Sequence, residues 1–289
     1  MNSQKPLISI VTPVFNGEKF IEDCILNVRN QSFRNYEHII IDSCSTDNTP
    51  NIINQFINDS QIKYIVKKDN SLYEGMNNGI KEARGEWLYF FGSDDAFVNN
   101  AVLEEISHTL VQKSEGAVYG DVWLEKLGRW FDGRFDIEKI LTNNICHQAI
   151  FYHRSVFEKV SLYNLNYKIL SDYDMNLKCI LGNKAPFEYH LLRIARFADG
   201  GVSAKHKDDN FENDYAKIII QYTLNGNWNW MKKYFYLSIC FRKIFLRNKL
   251  KKGFREINNN LKTWQTMLTL LFFFTLNPIL IVSKFFKKG

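Results

Sequence analysis

The sequence predicts an α/β fold: a mostly parallel central sheet with helices on both faces, followed by a C-terminal α-helical extension. Three observations carry that expectation. Over the first hundred residues, short apolar runs rich in β-branched residues alternate with amphipathic stretches about every fifteen residues. Several runs end on turn residues and carboxylates, as strands of an open α/β sheet do where they deliver groups to a ligand. From about Lys205 the texture changes to mixed aromatic and basic helical patterns. With 45% of its 289 residues hydrophobic, the chain also has the apolar surface for a sizeable core.

The elements follow in order. Leu7–Val14 is a β-branched run closed by Pro13 and Asn16-Gly17, a buried strand and its turn. Glu18–Asn30 places Phe20, Ile21, Cys24, Ile25 and Val28 on one helical face. Tyr36–Ile41 is a strand ending at Asp42, Asn51–Asn58 a helix with Pro50 near its first turn, and Ile62–Val66 a short strand. Leu72–Ala83 is helical. Trp87–Phe91 is a buried strand that stops at Gly92-Ser93 and delivers Asp94 and Asp95. Beyond it the pattern predicts a helix at Ala101–Gln112, strands at Ala117–Leu124 and Gly128–Phe135, a strand at Ile145–Tyr152 with polar His147 and Gln148 in its middle, a helix at Arg154–Val160, a helix at Ile169–Leu181 and a strand at Phe187–Phe197. Asn213–Leu224 is a helical pattern, and Trp228–Phe245 mixes Trp, Tyr and Phe with Lys and Arg.

The net charge of +6 is concentrated in Lys232–Lys288, which points to an anionic surface as partner. Trp264–Val282 is almost uncharged and about as long as the roughly 20 residues that cross a bilayer. Its Thr, Asn and Pro residues leave a span, an interfacial helix and a helical subdomain packed on the core as alternatives. Five scattered cysteines without a C-x-x-C pair imply reduced thiols, with neither a disulfide framework nor a zinc site. No signal-peptide pattern precedes the first strand, so the catalytic part is expected on the cytoplasmic side. A nucleic-acid-binding role fits poorly, because the tail's charges interleave with apolar runs and form no solvated stripe.

Two adjacent carboxylates at a strand end either shape a solvated turn or hold a hard divalent cation, which in turn holds a diphosphate. The motifs V-T-P-V-F-N, I-I-I-D-S-C-S-T-D-N-T, M-N-N-G-I-K-E-A-R-G-E-W, F-G-S-D-D, H-Q-A and S-D-Y-D, in that order from Pro6 to Ser203, decide between these. Together they resemble family 2 inverting glycosyltransferases, and most closely the bacterial subgroup for colanic-acid, capsule and lipopolysaccharide sugars. The resemblance implies a GT-A fold: a catalytic domain over residues 1–204, with a nucleotide-sugar half (1–98) and an acceptor half (99–204), and a membrane-associating helical region over 205–289.

It also implies residue roles. Thr12, Pro13, Asp42, Asn77, Ser93, Asp94 and His147 would bind the nucleotide sugar, with Asp42 on uracil or ribose, or else shaping its loop as an Asx turn. Asp94 would ligate Mg²⁺ or Mn²⁺, with Asp95 supporting it. Gly92 stands where the family's D-x-D motif has its first Asp, so one carboxylate ligand is missing. Asp172 would be the general base and Asp174 the runner-up, or either would cap its helix. Ser171 replaces the family's usual Glu. The loop Asp199–Ser203 would close over the donor. The implied activity is transfer of a hexosyl or N-acetylhexosaminyl unit from a UDP-linked donor to a glycan or lipid-linked acceptor at the inner membrane face. A non-catalytic nucleotide-sugar-binding scaffold is the alternative, and oligomeric state is left open.

Overall fold

The computed structural model describes residues 5–197 and 207–246. The elements are β1 (Ile8–Val14), α1 (Ile21–Arg29), β2 (Tyr36–Asp42), α2 (Thr49–Asn54), β3 (Ile62–Val66), α3 (Leu72–Glu82), β4 (Trp87–Phe90), β5 (Ala96–Phe97), α4 (Val102–Leu110), β6 (Ala117–Leu124), β7 (Arg129–Phe131), α5 (Ile137–Ile140), β8 (Ile150–His153), α6 (Ser155–Lys159), α7 (Ser171–Leu181), β9 (Phe187–Phe197), α8 (Asp209–Asn225) and α9 (Trp230–Leu246). The strands form one sheet in the order β3-β2-β1-β4-β8-β6-β9-β5, with β7 attached to β6.

The sheet is mixed, which corrects the mostly parallel expectation. β3, β2, β1 and β4 run parallel, but β8 runs antiparallel to both β4 and β6, and β5 antiparallel to β9. Apolar periodicity reports burial and not strand direction. β6 is antiparallel to β8, as β4 is, so β6 runs parallel to β4, and β9 parallel to β6. The carboxyl ends of β1, β2, β4, β6 and β9 therefore share one edge of the sheet.

Helices cover both faces. Val14 and Ile40 pack with Ile21 and Ile25 of α1 and Ile52 and Ile53 of α2. α3 lies on the opposite face and approaches β1 through two glycines. A Cβ on Gly79 would stand 2.2 Å from Val11 Cγ1, and one on Gly75 would stand 3.0 Å from Pro13 Cβ. The larger core continues into α8 and α9: Phe211, Tyr215, Ile219, Leu237 and Cys240 are buried in the cluster that holds Trp87, Phe90 and Leu177. Over α8 and α9 the C-terminal region is thus an aromatic helical unit packed on the core. No helix among the described residues is long and apolar enough to cross a membrane. Trp264–Val282 and the Asp199–Ser203 loop lie outside the described residues.

The strand expected at Ile145–Tyr152 begins only at Ile150. Before it, His147–Ala149 forms a 3-10 turn. The polar pair that interrupts the apolar run interrupts the strand too, and this lifts His147 to the carboxyl edge of the neighbouring β4.

Candidate active site

The chain leaves β4 through Phe91 and turns tightly. Asp95 N–H donates to the Gly92 carbonyl at 3.1 Å, and Gly92 N–H donates back to Asp95 Oδ2 at 2.7 Å. Asp95 is buried within this turn, whereas Asp94 is exposed and open. Burial, reinforced by the charge of Asp94, pushes the Asp95 carboxyl up to about 6, against the opposing pull of His147. A Cβ on Gly92 would meet Asp95 Oδ2 at 2.7 Å and Asp94 Oδ1 at 3.0 Å, so a side chain there would have to displace one of the two carboxylates.

Gln148 links this turn to the rest of the site. Its Nε2 donates to Asp95 Oδ1 at 3.3 Å, and the Cys146 thiol donates to its Oε1. The neighbouring His147 Nδ1 stands 3.7 Å from Asp172 Oδ2. Burial works against an imidazolium there, but Asp172, with lesser help from Asp95 and Asp94, outweighs it and holds His147 above the ordinary histidine range. The His147-Gln148 turn thus touches both the acid turn after β4, through Asp95, and the carboxylate at the start of α7.

Asp172 is fixed from several sides. Its Oδ1 accepts from Tyr173 N–H at 2.8 Å and shares the Tyr73 hydroxyl proton, 2.9 Å away, with the Ile169 carbonyl at 2.6 Å. Its Oδ2 accepts from Asn144 Nδ2 at 2.8 Å. Asn144 is itself oriented by Asn176 Nδ2 at 2.8 Å, and Asn176 by the Tyr152 hydroxyl at 2.7 Å. The start of α7 is tied down by Asp208, which caps α8 and accepts from the Ile169 and Leu170 N–H groups.

The other candidates named from the motifs are placed differently. Asp174 is two positions from Asp172 and so on another face of α7. It is buried between the Tyr222 hydroxyl of α8 and Lys178 Nζ at 2.8 Å, which ties α7 to α8. Asn77 is buried and closes its amide on the main chain of Tyr163, donating to its carbonyl and accepting from its N–H, each at 2.9 Å. It clamps α3 to the segment before α7, where a contact to the nucleotide sugar was expected. Thr12 is buried against His38 Nε2 at 2.9 Å, and burial pushes His38 down to about 3, so that imidazole is neutral. Asp42, at the end of β2, accepts from Ser45 N–H and the Tyr64 hydroxyl, each at 2.8 Å, so it shapes the loop as an Asx-type turn does. Pro13 carries the α3 contact. A Cβ on Gly17 would lie 3.5 Å from Ser93 Oγ, so the loop after β1 touches the acid turn.

Tyr73, Asn144 and Asp208 were missed in the sequence. Their contacts span 28 to 99 positions, and nothing in the local pattern marks them.

The model for the family described as glycosyl transferase family 2 matches residues 9–161, which include α3, the acid turn and the His147 turn. The chain belongs to glycosyl transferase family 2. A PGL/p-HBAD biosynthesis glycosyltransferase of Mycobacterium bovis is 32% identical over 211 residues, covering 71% of this chain and 82% of that one. Among solved structures, residues 1–349 of S. aureus TarS in complex with UDP-GlcNAc match with a TM-score of 0.67 at 17% identity, over 92% of this chain and 79% of that one. A longer S. aureus TarS structure is spanned over only 43% of its chain. A mannosyltransferase from Pyrobaculum calidifontis, in complex with GDP-Man and Mn²⁺, matches with a TM-score of 0.57 at 14% identity, over 96% of this chain and 88% of that one. The α/β part of the fold expectation is met by these likenesses, with the mixed sheet as its amendment.

For a family 2 glycosyltransferase a divalent cation is the implied companion. Among the described residues no group of three His, Cys, Asp or Glu side chains is placed to hold a metal. Yet Asp94 stands exposed at the end of β4, with Asp95 buried beside it. The residues fit a cation carried by Asp94, with Asp95 behind it and water and donor phosphates completing the shell, as Mg²⁺ accepts readily. They do not fit a cage built from protein groups alone.

Proposed function

We propose that this glycosyltransferase moves a hexosyl or N-acetylhexosaminyl unit from a UDP-linked donor to a hydroxyl of a glycan or lipid-linked saccharide, with inversion at the anomeric carbon. The observation that carries the reading is the placement of His147 between the acid turn and Asp172. The UDP-GlcNAc complex of a structural neighbour and the glycolipid-pathway name of a relative support the donor and acceptor classes. The basic segment Lys232–Lys288 supports placement at the cytoplasmic face of the membrane.

In this reading, Asp172 Oδ2 takes the proton of the attacking hydroxyl as its oxygen bonds to the anomeric carbon. The bond to the diphosphate breaks on the opposite face, and its electron pair leaves with the nucleotide. Tyr73, Tyr173 N–H and Asn144 hold the carboxylate in one orientation, so little reorganisation is left for the transition state. His147, charged more readily than an ordinary histidine, faces the region where negative charge grows. A bound divalent cation supplies charge neutralisation for the leaving diphosphate. The Asp42 loop and the Thr12-Pro13 strand end form the floor of the nucleotide half, and Ser93 borders it.

The test is UDP-sugar turnover and UDP-induced thermal stabilisation in Asp172→Asn and Asp94→Ala. Asp172→Asn should lose turnover by about 10³-fold, within the range for a general base, and keep UDP stabilisation. Asp94→Ala should lose the metal-dependent part of that stabilisation. Wild-type turnover in both variants contradicts the assignment.

A further inference from the structure

A second cleft lies on the same edge of the sheet, beyond the acid turn. Its volume is about 510 Å³, and Trp123, Trp130, Arg193, Arg196, Glu125 and Asn99 line it. Strand register explains its shape. Trp130 of β7 stands opposite Trp123 of β6, Trp123 opposite Arg196 of β9, and Arg196 opposite Ala96 of β5. Residues directly opposite across a ladder point to the same face, so four strands set an indole, an indole, a guanidinium and a small residue in one row. The indoles meet edge to face, with centroids 5.4 Å apart, and the Arg193 guanidinium carbon sits 4.7 Å from the Trp130 ring centre.

The row starts beside the catalytic region, because Ala96 follows Asp95 directly. At the strand spacing of about 4.8 Å, Trp123 is about 10 Å and Trp130 about 14 Å from Ala96. A short oligosaccharide can span that separation from the acid turn. Both arginines are exposed, and among the described residues neither forms an ion pair, although Glu125 lines the same cleft. Unpaired guanidinium groups beside flat aromatic faces can stack a pyranose and clamp a carboxylate or phosphate through two parallel hydrogen bonds.

We propose that this cleft is a distal acceptor subsite that selects a saccharide bearing an anionic group, a carboxylate or a phosphate, away from the hydroxyl that is glycosylated. The inference rests on the glycosyl-transfer reading, and it names the acceptor class. The glycosyltransferase keeps its reacting groups at Asp94 and Asp172, while Trp123, Trp130, Arg193 and Arg196 read the growing chain.

The experiment measures binding of tetragalacturonate, a glycerol-phosphate tetramer and maltotetraose to the full chain and to Arg193→Ala/Arg196→Ala, with UDP stabilisation as the fold and donor-site control. At least one anionic oligomer should bind about tenfold or more tighter than maltotetraose, and the double variant should erase that preference, since charge-assisted bonds to two arginines are removed. Which oligomer is preferred distinguishes carboxylate from phosphate recognition. Trp130→Phe should weaken all three oligomers together. Equal affinity for charged and neutral oligomers in the wild type, or a charge preference that survives loss of both arginines, overturns the proposal. Absence of UDP stabilisation in every form instead overturns the donor reading, while the charge preference is read from the oligomer titrations on its own.

Discussion

Replacing Tyr73 by Phe isolates the support under Asp172. The ring packs against Tyr163, with centroids 5.3 Å apart, and phenylalanine keeps that contact. Only the hydroxyl is lost, which sits 2.9 Å from Asp172 Oδ1 and 2.6 Å from the Ile169 carbonyl. A hydrogen bond to a charged group contributes about 1.5–3 kcal/mol, and a proton shared between two acceptors belongs at the low end. About 1.5 kcal/mol of lost positioning corresponds to roughly a tenfold fall in turnover. The same substitution strips the part-buried Ile169 carbonyl of a donor and should cost about 1 kcal/mol in denaturant unfolding. The assay pairs UDP release under saturating donor with a UDP thermal shift, which should stay unchanged. In an Asp172→Asn background Tyr73→Phe should reduce turnover no further, because both act through one carboxylate. Wild-type turnover in Tyr73→Phe, or a full tenfold loss persisting in the Asp172→Asn background, would refute the reasoning.

Two further outcomes follow from the fold. Gly79→Ala drives a methyl group into Val11, 2.2 Å from its Cγ1. Overpacking should outweigh the helix-propensity gain by about 1–2 kcal/mol, lowering Tm by several degrees in calorimetry. Asp95 is raised in the folded protein from an ordinary 3.8 to about 6, so the native state holds its proton more tightly than the unfolded chain does. Its stabilising contribution is full below about pH 4 and is lost as pH rises through 6, by about 3 kcal/mol in all. Without metal, stability of the wild type measured by urea titration should therefore fall between pH 4 and 7 more steeply than that of Asp95→Asn, and Mg²⁺ should recover part of the difference above pH 6.

The first half of the fold was legible because its information is local. β1, β2, β3, α3 and β4 each carry a complete apolar pattern with its own turn chemistry, and Asp42, Asp94 and Asp95 appear where those patterns stop. The direction of β8 was not legible, since antiparallel pairing with β4 is decided by a connection of about sixty residues and not by anything within I-F-Y-H. β5 was missed because two residues, Ala96 and Phe97, become a strand only through β9. Within the site, the carboxylates could be named from sequence, but their support could not. Asn77 reads as a polar helix residue until Tyr163 folds onto it, and Asp174 reads like Asp172 until α8 supplies Tyr222. The 3-10 turn at His147 shows the intermediate situation: the polar pair was visible as an interruption, and what it interrupted was the strand itself.

The most direct test of the convergence of the two acid groups is the titration of His147 followed by NMR of labelled histidine. The wild-type imidazole should titrate above the ordinary histidine value, because Asp172, Asp95 and Asp94 together overcome its burial. Asp172→Asn should lower it most, and Asp94→Ala with Asp95→Asn should lower it as well, since both acid groups face the same ring. A His147 that titrates at or below the ordinary value, or one that responds to Asp172→Asn and not to the Asp94 and Asp95 substitutions, would contradict a shared cleft.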